Sequence, residues 1–155
     1  MKTEENCLFC GIVSGSVPSH KVWENDAYLA FLTIFPNTEG VTVVIPKEHY
    51  GSYVFELPDD VAKGLFNASK QVAKAIDAAF PDVGRTGLIF EGFGVNHMHA
   101  KLFPMHGTKE GEWREHRSSI DTYSEFYQGY LSSHDAKREV DEKLSATAEK
   151  IRKAI

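Results

Sequence analysis

The stretch Asn96-His97-Met98-His99-Ala100-Lys101-Leu102-Phe103-Pro104 decides how the rest of this chain is read. His97, His99 and Lys101 occupy every second position, and apolar Met98, Ala100 and Leu102 fill the places between. A β-strand sends successive side chains to opposite faces, so this spacing predicts a strand over 97–103. Two imidazoles and an ammonium would line one face, while the apolar residues pin the other to a core. Three basic groups on one face suit an anionic ligand or a metal; a solvated strand face is the plain alternative.

Working outward, the segment 87–90 reads as a strand, and Gly92-Phe93-Gly94 as a tight turn or bulge. Val41-Thr42-Val43-Val44-Ile45 is rich in β-branched residues, ends at Pro46, and is the strongest strand signal in the chain. Before it, Lys21-Val22-Trp23-Glu24 and the segment 28–34 read as a hairpin turned at Asn25-Asp26. One long helix separates these from the later strands. It opens at Pro58-Asp59-Asp60, carries Val61, Leu65, Ala68, Val72, Ile76 and Ala79 at helical spacing, and stops by Pro81. Gly11 to Pro18 offers a short helical turn at best. After a polar loop over 107–118, a short helix is expected around 121–127. A second helix over 135–155 should place Val140, Leu144, Ala148, Ile151 and Ile155 on one stripe. The pattern is α+β, with a mostly antiparallel five-stranded sheet, one long helix and a C-terminal helical extension.

A chain of 155 residues, 42% hydrophobic and 25% charged, suits one globular domain. No apolar run reaches the roughly 18 residues of a membrane helix, so no membrane partner is expected. The N-terminal residues are polar and acidic with no hydrophobic signal region, which makes the cytoplasm the expected location. A net charge of −5 argues against a nucleic-acid backbone as partner, and leaves room for a small phosphorylated ligand held locally.

Cys7 and Cys10 are the only cysteines, spaced C-x-x-C. A redox pair would need a βαβ setting that the neighbouring sequence lacks. Half of a zinc site needs two further nitrogen or sulfur ligands, and His49 and His97 are available. Together they would make a Cys2His2 shell, closed and therefore structural, tying the N-terminus to two strand ends; two unattached thiols are the alternative. His99 has a different candidate role, because a mostly neutral imidazole can attack phosphorus directly. Lys101, on the same face, could stabilise phosphate charge, or pair at the surface with a carboxylate such as Glu91. His106 could reach the same pocket or face water, while His20, His116 and His134 have polar surroundings and read as surface residues.

At these residues the chain resembles the histidine triad (HIT) family. One block runs from Cys7-Leu8-Phe9-Cys10-Gly11-Ile12 through Val22-Trp23-Glu24-Asn25-Asp26 and Ala30-Phe31-Leu32 to Val44-Ile45-Pro46-Lys47-Glu48-His49. The other is His97-Met98-His99-Ala100-Lys101-Leu102-Phe103-Pro104. The resemblance implies a HIT-like catalytic domain over 1–106, with 107–155 as an extension packed on that domain or on a dimer partner. It implies a homodimer that hydrolyses or transfers at the α-phosphate of nucleotide derivatives, such as dinucleoside polyphosphates and nucleoside phosphoramidates, through a nucleotidyl-histidine. His99 corresponds to the nucleophile, and Cys7, Cys10, His49 and His97 to the structural Zn2+ ligands of the C-x-x-C branch. Leu8, Phe9, Ile12, Phe31, Leu32, Thr33 and Ile34 correspond to the nucleoside pocket.

Three departures stand out. Lys101 takes the place of the third triad histidine, which leaves the acceptor open between water, phosphate and another nucleotide. Thr33 stands where many members carry a ribose-binding aspartate, and Phe93-Gly94-Val95 replace polar residues just before the triad. A nucleotide-binding or scaffold protein with weak catalysis is the reading from another class that these losses suggest.

Overall fold

The computed structural model describes residues 2–109, 111–116, 125–127 and 137–155. In chain order the elements are α1 (Leu8–Ser14), β1 (Lys21–Glu24), β2 (Tyr28–Leu32), β3 (Thr42–Pro46), a 3-10 turn at Val54–Glu56, α2 (Asp59–Ala79), β4 (Thr86–Ile89), β5 (Ala100–Pro104) and α3 (Asp141–Arg152). The five strands form one antiparallel sheet in the order β1-β2-β3-β5-β4, which makes the fold α+β as the pattern predicts. The helix expected over 121–127 falls mainly outside the described residues.

β3 lies at the centre of the sheet and all five of its residues are buried, as its unbroken β-branched run requires. The period of two divides its neighbours between two cores. Ala30, Leu32, Val44, Met98, Ala100 and Leu102 face α2, whose apolar stripe Leu65, Ala68, Val72 and Ile76 covers them together with Leu144, Ala148 and Ile151 of α3. Leu29, Phe31, Val43 and Ile45 face the other way and close around Phe9 of α1. The sheet therefore carries two long helices on one face and a short helix on the other, and the short one borders the site.

α2 follows Pro58 and has Asp59 and Asp60 in its first turn, where carboxylates meet the positive end of the helix dipole. It ends before Phe80-Pro81, because a residue preceding proline avoids the helical region. α1 ends on Gly15 at φ 81°, a left-handed position where glycine carries no steric penalty.

Some boundaries differ from expectation. α1 starts at Leu8, straight after Cys7, rather than near Gly11. The strand expected over 97–103 begins only at Ala100, because the preceding backbone is claimed elsewhere. His97 N–H donates to Val95 O at 2.8 Å and Met98 N–H to Tyr50 O at 2.9 Å. β2 stops at Leu32, so Thr33 and Ile34 belong to the following loop. α3 starts at Asp141 rather than 135, and the outer members of its expected stripe, Val140 and Ile155, are exposed. Residues 137–140 are already described as non-helical, so the stripe cannot extend that far back.

Candidate functional site

His97 and His99 keep the alternation of a strand although they precede it, and both rings abut Phe9. Phe9 meets His97 with ring centroids 5.8 Å apart, His99 at 5.5 Å and Phe31 at 5.4 Å, all edge-on. The same face then carries Lys101, which lies opposite Val43 and Ile89 in the ladder and places its ammonium 5.7 Å from the centre of the Phe103 ring.

The two imidazoles differ in what their nitrogens face. Nδ1–H of His99 donates to the His97 carbonyl at 2.7 Å. A carbonyl only accepts, so the ring proton is fixed at Nδ1 and the lone pair at Nε2. Burial pushes the His99 pKa below its usual 6.5, and the nearby Lys101 charge adds to this. His99 is therefore a neutral imidazole at pH 7. His97 is held the opposite way round. Its Nε2–H donates to the Pro46 carbonyl at 2.9 Å, which leaves Nδ1 as the lone-pair nitrogen; burial lowers its pKa as well.

That Nδ1 of His97 stands 3.4 Å from Sγ of Cys7 and 3.7 Å from Sγ of Cys10, and Nδ1 of His49 stands 3.5 Å from Sγ of Cys10. All four donor atoms lie within 4.8 Å of one another. A tetrahedral zinc with ordinary Zn–S and Zn–N bonds has S-to-N edges of about 3.6 Å. The separations match those edges, so the donor set fits a tetrahedral metal both in chemistry and in size. The second nitrogens are also occupied as metal-bound histidines require: Pro46 O accepts from His97, and Oε2 of Glu4 meets Nε2 of His49 at 2.7 Å. The backbone N–H of Glu4 reaches Sγ of Cys10 at 3.5 Å, and His49 N–H donates to Lys2 O at 2.8 Å, so residues 2–4 wrap the cluster. Burial raises the Cys10 thiol pKa, an effect that a bound cation would reverse.

Beside this cluster a cavity of about 350 Å3 opens between α1, the end of β2 and the turn before His97. That volume suits a small organic ligand. Leu8, Phe9, Ile12, Phe31, Leu32, Thr33 and Ile34 all line it, as do His99 and Lys101. The structure thus brings the seven pocket residues, the two candidate catalytic residues and the four candidate ligands into one region. Thr33 Oγ1 accepts the Phe35 N–H at 3.3 Å, which closes a short turn at the rim.

His106 does not join them. Its Nδ1 faces the Asp82 carboxylate at 3.0 Å, its Nε2 faces Glu39 O at 3.0 Å, and its ring abuts Phe80. His20 is half-buried rather than free at the surface, bonded to Asp141, and His116 is exposed. His134 lies outside the described residues. Sequence reasoning missed Glu4, whose only signal is an acid three residues before the first cysteine. It also missed the wall formed by Val17, Pro18 and Ser19, and noticed Phe93-Gly94-Val95 only as a departure although all three line the cavity.

A family model described as the HIT domain matches residues 14–108, more than half of the chain. The chain belongs to the HIT domain family. Among curated relatives of this HIT protein, Protein hit of Bacillus subtilis is 37% identical over 142 residues, covering 89% of this chain and 97% of the relative. An adenosine 5'-monophosphoramidase of Schizosaccharomyces pombe is 38% identical over 100 residues, covering 64% of this chain and 74% of the relative. Among solved structures, a Zn-bound histidine triad family protein from Mycobacterium smegmatis superposes with a TM-score of 0.67 at 23% identity, covering 96% of this chain and 92% of the other. That likeness concerns the fold.

Proposed function

We propose that this HIT protein is a nucleotide hydrolase or nucleotidyltransferase acting at the α-phosphate of nucleotide derivatives, with His99 as the nucleophile. The observation that carries the reading is the geometry of His99: its Nδ1 proton is held by the His97 carbonyl, its lone pair is left at Nε2, and the ring lines the cavity. Burial, which lowers its pKa, favours the neutral form that attack requires. The lone pair of Nε2 attacks the α-phosphorus, the bond from phosphorus to the leaving group breaks, and the leaving group departs with that electron pair and takes up a proton. Water, phosphate or a second nucleotide then attacks the nucleotidyl-histidine, the P–N bond breaks, and its electrons return to Nε2. Lys101 neutralises phosphate charge as it builds, supplies the leaving group's proton in the first step, and takes a proton back from the attacking acceptor in the second, which restores its ammonium. Leu8, Phe9, Ile12, Phe31, Leu32, Thr33 and Ile34 hold the nucleoside. The name of the yeast relative supports a phosphoramidate among the substrates; dinucleoside polyphosphates belong to the same class.

Cys7, Cys10, His49 and His97 would hold a structural zinc ion, and their clustering supports a reading of the chain as a member of the C-x-x-C branch, with Lys101 at the third triad position. Four protein ligands leave no coordination position for an activated water, so the metal's contribution is to fix the N-terminal segment and the His97 ring. The sulfur-to-nitrogen separations of 3.4–3.7 Å support this assignment. Thiolate ligands need a reducing compartment, which favours the cytoplasm. The exposed Tyr53, Phe55 and Phe66 offer apolar surface for a homodimer.

The test is turnover of labelled nucleoside phosphoramidates and dinucleoside polyphosphates, with and without inorganic phosphate, by the native chain and by His99→Ala. The variant should lose roughly three orders of magnitude or more, and quenched reactions of the native chain should contain a nucleotidyl-His99 adduct. Turnover retained by His99→Ala would remove the proposed role. Nucleotide binding without turnover in the native chain would favour a binding protein, a reading that the apolar Phe93-Gly94-Val95 rim supports.

A further inference from the structure

α3 lies beyond the residues matched by the family model and on the sheet face away from the cavity, yet the helix and the residues that lead into it are bonded to both loops that shape the cavity's rim. The first loop carries the lining residues Val17, Pro18 and Ser19 and ends at His20. Nε2 of His20 bonds Oδ1 of Asp141 at 3.0 Å, and Nδ1 of His20 meets Oγ of Ser145 at 3.4 Å. The helix thus grips one imidazole by both nitrogens. His20 passes the restraint on, because its carbonyl accepts the Leu32 N–H at 3.0 Å.

The second loop carries Thr33, Ile34 and Phe35. Its Ile34 carbonyl accepts the Glu139 N–H at 3.0 Å, two residues before α3 begins. Glu139 is itself held by Lys143 at 2.7 Å. Farther along the helix, Oγ1 of Thr147 donates to Oε1 of Glu39 at 3.2 Å, and Arg152 bonds the Lys21 carbonyl. Leu32 and Thr33 are the shared partition: they line the cavity in front, and a void of about 20 Å3 beneath α3 behind. Leu144, Ala148 and Ile151 anchor the helix in the core, so it can act as a fixed reference for these loops.

We infer that α3 is a brace that sets the position of the cavity's two rim loops, 17–20 and 33–35, with His20 and Asp141 as positioning residues for nucleotide affinity. The inference rests on the reading of the cavity as a nucleotide site. None of the cavity-lining residues belongs to α3, so the effect passes through the loops and not through contact with ligand.

The experiment measures two independent quantities in the full chain: the affinity for adenosine and guanosine 5'-monophosphate by calorimetry, and amide hydrogen exchange along the backbone. His20→Ala should weaken binding about three- to tenfold, within the usual range for coupling through a positioned element. It should also speed exchange over 31–35, while amides of β3 and β5 keep their native rates. His20→Gln, which retains a donor and an acceptor, should restore most of both. His20→Ala combined with Asp141→Ala should cost little more than either alone, as two ends of one contact require. Native exchange over 31–35 in His20→Ala would overturn the brace, as would acceleration spread evenly over the sheet, which marks general destabilisation. If the native chain binds neither nucleotide, the nucleotide reading fails, and the exchange data still decide whether α3 holds the loops.

Discussion

Removing one carboxylate that touches no metal should weaken metal binding. Glu4 directs Oε2 at Nε2 of His49, 2.7 Å away, while Nδ1 of the same ring faces Cys10. A hydrogen-bond acceptor behind a ligating imidazole fixes its tautomer and makes the other nitrogen a better donor; loss of such a partner costs about 10- to 100-fold in affinity. The Glu4 side chain is 56% exposed, so water screens the interaction and can replace it in part. The lower end of the range therefore applies. Glu4→Ala should lose about tenfold in zinc affinity, near 1.4 kcal/mol. Glu4→Gln keeps an oxygen acceptor without the charge and should lose about half of that free energy, roughly threefold. The assay is competition for zinc against a chromophoric chelator near neutral pH, with Glu5→Ala as a control for the change in net charge. Native affinity in Glu4→Ala would refute the reasoning, and so would an equal loss in Glu5→Ala.

Two further outcomes follow from the geometry. A Cβ at Gly64, in the second turn of α2, would overlap the Tyr28 hydroxyl, so Gly64→Ala should destabilise by about 1–3 kcal/mol in urea melts despite alanine's better helix propensity. Adding Tyr28→Phe should recover only part of this, since the ring carbon Cζ still lies 2.8 Å from the new methyl. The hydrogen bond from His106 holds the Asp82 carboxyl below its usual 3.8, helped by the Gly107 N–H. A carboxyl lowered in the folded state adds stability that is complete above the unfolded value and fades as pH falls through the folded one. Asp82→Asn should therefore remove part of the loss of stability below about pH 4. Thermal melts along a pH series check this, and an unchanged acid limb would contradict it.

Much of this site is written in local spacing. The period of two at His97, Met98, His99, Ala100 and Lys101 fixes which side chains meet Phe9 and which meet α2, and the structure keeps that division even where no ladder exists. The long apolar stripe of α2 and the β-branched run of β3 were legible for the same reason: one period operating over enough residues. What stayed hidden depends on contacts between distant segments. The start of β5 is set by Tyr50 O capturing the Met98 amide, and nothing near Met98 in sequence announces it. Glu4 looks like any exposed acid until the chain folds its N-terminus over His49. His106 turns to Asp82 because it follows the C-terminal end of β5, which lies near the end of α2 and away from the cavity. Val140 shares a helical period with Leu144 but falls before the helix, so its exposure is a matter of boundary rather than of pattern.

The division of faces also dictates where this chain tolerates changes of length. Between Ile89 and His97 the backbone forms no ladder, so a change of length there leaves the strand pairing intact, although it would reshape the cavity wall that Phe93, Gly94 and Val95 form. Between His97 and Lys101 no such freedom exists. Deleting Ala100 while β5 keeps its register would turn Met98 toward Phe9 and the His97 imidazole into the hydrocarbon core under α2. An odd change in the length of that segment exchanges the two faces, and an even one keeps them.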